Sequence, residues 1–319
     1  MRDLLPPAQI SRQSIMDVID ITSGLRFPEG PVAMADGSLL VVEIERGTLT
    51  RIGEDGGQAV VAQLGGGPNG AAIGPDGHCY VCNNGGFAWV EDAFGLRPHG
   101  IAPDYQSGSI QRVDLKTGHV ETVYDRCDQE PLNGPNDLVF DAAGGFYFTD
   151  FGKIRRRHQD RGAVFYATAG GSMIREVAFP LLTPNGVAIS PDETVLYVSE
   201  TEPARVWAFD LEAPGQIRKR PWPSPNGGRL VAGFGGYERL DSMAIDREGN
   251  ICVAAIVSNG LFVIAPGGAF RHVKLPGAYA TNVCFGGPDL RTAYVTLSSL
   301  GRVIAFPWET AGLRPNFFC

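Results

Sequence analysis

The stretch Pro184-Asn185-Gly186-Val187-Ala188-Ile189-Ser190-Pro191-Asp192, running on into Glu193-Thr194-Val195-Leu196-Tyr197-Val198-Ser199-Glu200, decides the fold. It reads as a polar residue, a short apolar strand, a Pro-Asp turn and a second strand of β-branched and aromatic residues. The same order returns five more times, beginning at Glu29-Gly30-Pro31-Val32, Asn69-Gly70-Ala71-Ala72, Asn136-Asp137-Leu138-Val139, Asp241-Ser242-Met243-Ala244 and Asn282-Val283-Cys284-Phe285. A repeat outweighs any single motif in setting the fold, because one unit cannot bury its apolar face alone.

Each unit follows one plan. Its second strand comes after a turn-forming pair such as Asp36-Gly37, Asp76-Gly77, Gly144-Gly145, Pro191-Asp192, Gly249-Asn250 or Pro288-Asp289. A third strand follows a variable loop, as in Gly47 to Ile52 or Arg205 to Phe209, and a fourth closes most units, as in Val120 to Val123 or Met173 to Val177. Four strands repeated six times predict an all-β, six-bladed propeller, a single domain over residues 1–319 with residues 1–14 as an N-terminal arm. The sixth unit lacks a fourth strand after Phe306. The alternating segment Ile15 to Ile21 has no turn-linked partner, so it is expected to complete the last blade and close the ring.

Composition narrows the function classes. The chain has 319 residues, 44% hydrophobic and 19% charged, with 42 glycines and 23 prolines, a profile of many short strands and tight turns. A formal net charge of -8 argues against a nucleic-acid footprint, and the one basic run, Lys153 to His158, is read as solvated surface or mouth with a weak capacity to steer an anionic substrate. No run approaches the length of a membrane span or of a signal-peptide core, so a soluble, cytoplasmic protein is expected. Six cysteines show no paired metal spacing and read as buried small hydrophobes.

In a propeller the innermost strands begin around one mouth of the channel, so their first residues converge there. Those residues are Glu29, Asn69, Asn136, Asn185, Asp241 and Asn282, all of them oxygen donors and two of them carboxylates. A hard divalent cation, calcium first, takes six to eight such oxygens. Zinc, manganese and ferrous iron accept oxygen sites as well. Any one Asn-Gly could equally be an Asx-turn capping local backbone. Equivalent positions in six units, with a glutamate among them, favour the ring.

The motifs Leu25-Arg26-Phe27-Pro28-Glu29-Gly30-Pro31, Asn136-Asp137-Leu138-Val139-Phe140-Asp141, Pro184-Asn185-Gly186-Val187 and Asp241-Ser242-Met243-Ala244-Ile245-Asp246 resemble those of the senescence-marker-protein, gluconolactonase and luciferin-regenerating-enzyme family, the regucalcin-like propellers. The resemblance covers roughly Gly24 to Trp308 by blade pattern. It implies a six-bladed propeller with one divalent metal in the channel, and metal ligands at Glu29, Asn136, Asn185 and Asp241. It also implies lactonase activity, with Asp241 as general base, nucleophile or ligand only. The chain departs from the sugar-lactonase pattern at Gly134, where an arginine is often found, which puts an aldonolactone in doubt.

Start-to-start spacings of 40, 67, 49, 56 and 41 residues mark where loops have been inserted. The longest, residues 83–107, holds Phe87, Trp89, Phe94, His99 and Tyr105 and is read as an aromatic lid. Trp89, Phe94 and His99 are therefore expected on the substrate side, together with Asn69, Asn133 and Asn282. The serines have no Gly-x-Ser-x-Gly around them, which argues against a serine hydrolase. A small-molecule lactone is the expected substrate. A phosphotriesterase-like hydrolase of the diisopropyl fluorophosphatase type and a non-enzymatic ligand-binding propeller stay open as alternatives.

Overall fold

The computed structural model describes residues 17–277 and 279–318. The arm over residues 1–14, the first two residues of the expected closing strand and Cys319 lie outside the described residues. Within them, six antiparallel sheets of four or five strands stand around a common axis as a six-bladed propeller.

The innermost strands are Pro28–Ala33, Pro68–Ile73, Pro135–Phe140, Pro184–Ile189, Leu240–Ile245 and Ala280–Gly286, each packed against two neighbours so that they form a closed ring. The second strands Leu39–Glu43, Cys79–Asn83 and Ile251–Ala255 are buried at every position because a blade lies on either side. That explains their unbroken apolar runs. Towards the rim burial falls off, and Gln58–Gln63 is mostly exposed.

The core is divided into clusters shared by consecutive blades. Leu40, Leu49, Val81 and Val113 join the first blade to the second, while Tyr147, Leu181, Val198 and Phe209 join the third to the fourth. Cys79, Cys82, Cys127 and Cys252 are buried, in keeping with their reading as small hydrophobes. The predicted turns form as their chemistry requires. Asp36, Asp76 and Asp289 each accept the backbone N–H two residues on, at 3.0, 3.2 and 3.0 Å.

The closing strand is present over Ile19–Ser23. It pairs antiparallel with Arg302–Pro307, Ile19 opposite Ala305, and supplies the outer strand of the last blade. This joins the first strand of the described chain to its last strand in one sheet. In the fourth blade the insertion after Ala213 adds a short extra strand, Gln216–Arg218, that pairs with the same strand as Arg229–Gly233. The C-terminal tail crosses the far end of the channel: Leu313 N donates to the Ile245 carbonyl, and Phe317 stacks edge-on against Phe140 at 5.8 Å. It walls an apolar cavity of about 230 Å³, and a larger cavity of about 850 Å³ lies at the opposite mouth. Among the described residues no helix is long and apolar enough to cross a membrane.

Candidate active site

A break in strand pairing builds the open mouth. In the first blade Glu29 lies opposite Val42 but Val32 lies opposite Leu40, so one extra residue is accommodated directly after the glutamate. The same slip occurs between Pro68 and Ala71, Pro135 and Leu138, Pro184 and Val187, and Leu240 and Met243. Such bulges re-aim a side chain that regular pleating would direct elsewhere. Here they place Glu29, Asn69, Asn136, Asn185 and Asp241 on one cavity of about 850 Å³.

The sixth position differs from the expectation. In the last blade the slip falls between Ala280 and Asn282, and the residue on the cavity is Thr281. Asn282 lies one layer deeper, beside the positions of Gly30 and Asp137. A one-residue shift in a strand exchanges its two faces. Counting back from the buried Val283 and Phe285, in phase with Val187 and Ile189, would have identified Thr281.

Asn282 instead supports Glu29. Its Nδ2 donates to Glu29 Oε2 at 2.8 Å, and Gly30 N donates to the same oxygen at 3.0 Å. Asn185 is held from both ends, its Nδ2 donating to Thr201 Oγ1 at 3.1 Å and its Oδ1 accepting from Ser242 Oγ at 3.2 Å. Ser242 N donates to Asp241 Oδ1 at 3.1 Å. The deeper layer is tight. A Cβ on Gly186 would come within 2.7 Å of Met243 N and 2.8 Å of Ser242 Cα, so a side chain there would force the inner strands apart.

A second set of residues fixes the approach to the ring. Glu43, Asn83, Asp150 and Glu200 end the second strands of four blades, and their side chains accept backbone N–H groups just before the ring residue. The donors are Arg26, Gly67, Asn133 with Gly134, and Leu182, at 2.6 to 2.8 Å. Sequence reading missed this clamp, whose signal is a lone acid or amide closing an apolar strand. It also accounts for Asn133, which contributes its backbone to the clamp and does not line the cavity. Gly134 lies so close to Gly152 that an added Cβ would sit 2.7 Å from its carbonyl, so a side chain at this position would not fit.

Insertion 83–107 folds as a β-hairpin, Phe87–Asp92 with Gly95–Ile101, roofing part of the mouth. Its outer face carries the ion pair Glu91–Arg26 at 3.1 Å. Phe94 and Phe87 line the cavity. Trp89 lies behind them against Phe27 at 5.1 Å and Phe87 at 5.9 Å, and His99 is exposed and off the cavity wall. Lys153, Asn84, Arg97 and Arg239 line the same cavity and were not singled out as site residues by the sequence reading.

The ring's electrostatics ask for a cation. Burial raises the Glu29 carboxyl above its ordinary value. Burial, and then the charge of Glu29, hold Asp241 well above the carboxylate range. Among the described residues neither carboxylate has an ion-pair partner, and the buried Asn136 Oδ1 has no hydrogen-bond partner. Among the described residues no group of three or more His, Cys, Asp or Glu side chains is placed to hold a metal ion by itself, so the other oxygens here come from amides and a hydroxyl. Two unpaired carboxylates and an orphaned amide oxygen are a donor set that fits a hard divalent ion.

Comparison with known proteins agrees with this architecture. Among curated relatives, a gluconolactonase of Zymomonas mobilis is 28% identical over 298 residues, covering 83% of this chain and 75% of its own length. A lactonase drp35 of Staphylococcus haemolyticus is 29% identical over 252 residues, covering 78% and 70%. A solved calcium-binding regucalcin from Agrobacterium tumefaciens superposes with a TM-score of 0.70 at 19% identity, over 94% of this chain and 96% of that one. Residues 27–299 match the family described as the SMP-30/gluconolactonase/LRE-like region, and the chain belongs to that family.

Proposed function

We propose that the protein is a lactonase that hydrolyses a cyclic ester at the open mouth, with one divalent cation, calcium first, held by Glu29, Asn136, Asn185 and Asp241. The observation that carries this reading is the delivery, by equivalent bulges, of two unpaired carboxylates and the orphaned Asn136 oxygen to one substrate-sized cavity. Its volume of about 850 Å³ lies within the roughly 300–1,000 Å³ usual for ligand pockets. The names carried by the gluconolactonase and lactonase relatives and by the calcium-binding neighbour support it.

When bound, the cation supplies Lewis-acid polarisation of an ester carbonyl and stabilisation of the developing negative charge. The chain's own residues do the rest. Glu29 is held by Asn282 and Gly30, and Asn185 by Thr201 and Ser242, so their oxygens are oriented before substrate arrives. Ser242 N donates to Asp241 Oδ1 and the Asn185 side chain also bonds to this carboxylate, so Asp241 is oriented to take the proton from the attacking water. The same proton returns to the leaving alkoxide, which stays tethered as the ring opens. Apolar walls from Phe27, Phe87, Phe151 and Ile256 limit access of bulk water.

Proton release during lactone hydrolysis tests the proposal, with wild type, Glu29→Gln and Asp241→Asn measured with and without chelator. Removing a general base lowers kcat by about a hundredfold or more. Metal content of Asp241→Asn separates the roles, because full occupancy with a lost rate marks a base and lost occupancy marks a ligand. Rates unchanged in both variants and in chelator would overturn the reading.

A further inference from the structure

Lys153 is 2% exposed, yet it lines the same cavity as the ring. Its ammonium donates to the Asn84 carbonyl and sits 4.5 Å from the ring centre of Tyr105 and 5.0 Å from that of Phe87. Among the described residues no carboxylate pairs with it. The two acids whose charges act on it are engaged elsewhere: Asp150 accepts from Asn133 N, Gly134 N and Gly152 N, and Asp160 accepts from Lys153 N and from Arg155. An ammonium has three donors, and here one protein acceptor is found for them. A buried charge without a counter-charge is costly unless a ligand supplies one.

Beside it is a second unmet donor. Asn84 is buried, its Oδ1 accepts from Gly86 N at 2.8 Å, and its Nδ2 has no hydrogen-bond partner. Asn84 lines the same cavity, and Arg97 and Arg239 stand on its wall, each paired to an acid, Asp92 and Glu202. The mouth therefore has two poles: oxygen acceptors around the channel axis, and an ammonium and an amide donor on the wall.

We infer that Lys153 Nζ and Asn84 Nδ2 form a subsite for a carboxylate carried by the substrate, which makes the preferred substrate an anionic lactone. The inference rests on the lactonase reading above and specifies its substrate class. A carboxylate offers one oxygen to each of the two donors, and its charge supplies the direct ion pair that Lys153 does not make among the described residues. Burial holds the Lys153 ammonium down at about 8 when the subsite is empty. The aromatic faces of Phe87 and Tyr105 favour the charged amine and limit its rotation.

The test compares 5-oxotetrahydrofuran-2-carboxylate with its carboxamide and with γ-valerolactone, as kcat/KM in wild type, Lys153→Met and Lys153→Arg. Charge-assisted bonds from a buried donor predict that wild type prefers the carboxylate by about ten- to a hundredfold. The preference collapses in Lys153→Met through KM and is partly restored in Lys153→Arg. A measurement independent of turnover accompanies it: glutarate should slow reductive methylation of Lys153 in the wild-type protein, and glutaramide should not. Equal kcat/KM for carboxylate and carboxamide in wild type, or a preference that survives Lys153→Met, overturns the subsite while leaving the lactonase intact. No hydrolysis of any lactone by wild type overturns the lactonase reading instead, and protection by glutarate would then still support the carboxylate site.

Discussion

Replacing Asn282 with alanine should weaken the proposed metal site without touching the substrate. Glu29 Oε2 accepts from Asn282 Nδ2 at 2.8 Å and from Gly30 N at 3.0 Å, whereas Oε1 has Ser298 Oγ at a long 3.4 Å. The variant removes one of the short donors that hold the buried carboxylate and leaves Gly30 N with the Thr281 and Ser298 hydroxyls to orient it. A hydrogen bond to a charged group is worth about 1.5–3 kcal/mol, or roughly ten- to a hundredfold in affinity. Because this bond also exists before the ion arrives, what is lost is mainly orientation, so the lower end, about tenfold, is the expected loss. That agrees with the roughly 10–100-fold effects of outer partners on metal ligands. Calcium affinity is read by competition with a fluorescent chelator, and kcat/KM is measured at saturating calcium, where it should stay within about threefold of wild type. A raised KM with unchanged calcium affinity would refute the reasoning, since it would return Asn282 to the substrate wall where the sequence alone had placed it. Circular dichroism melting checks that the variant is folded.

Three further outcomes follow from particular contacts. Gly186→Ala should cost about 1–3 kcal/mol of stability in guanidinium titration, because its Cβ would press on Met243 N at 2.7 Å and Ser242 Cα at 2.8 Å; an unchanged midpoint would mean that the inner strands can part freely. Trp89→Ala removes two aromatic contacts that hold the roof, at 5.1 and 5.9 Å, and should cost about 2 kcal/mol in urea while raising KM for bulky lactones; an unaltered KM would separate the hairpin from substrate selection. Burial lowers Lys153 from 10.5 to about 8, with Asp150 and Asp160 opposing that shift and Arg155 adding to it. Between those values the unfolded chain keeps a proton that the native chain has released. Its contribution to stability therefore rises with pH across that window, by up to about 3 kcal/mol. The Tyr105 hydroxyl, pushed up to about 12 by burial, stays protonated there. Subtracting the Lys153→Met curve isolates the rise, and parallel curves for the two proteins would refute it.

Much of this was legible in the chain because it is local. Strand, turn and strand recur at short range, so a Pro-Asp pair and an alternating or fully apolar run announce each blade wherever they stand. The closing strand was legible for another local reason, a sixth unit with no fourth strand of its own. Five of the six ring positions followed from the repeat alone. The sixth failed because Asn282 has the expected chemistry but the wrong phase. The bulge that sets the phase is a property of pairing with Thr292–Leu297, which residue type does not record. The roof hairpin was readable as an insertion but not as to which of its side chains faced inward. Phe94 reaches the cavity while Trp89 turns back onto Phe27.

By itself, then, the sequence determined a closed six-bladed propeller and a ring of oxygen donors at one mouth, since both rest on a pattern repeated along the chain. Only the tertiary structure decided that Thr281 completes the ring while Asn282 braces Glu29, that the C-terminal tail covers the opposite end, and that Lys153 meets Asn84 from a different blade. Those outcomes depend on which backbone lies beside which after the blades close. A side chain's direction is set by register and its partners by long-range packing, and neither is carried by the local order of residues.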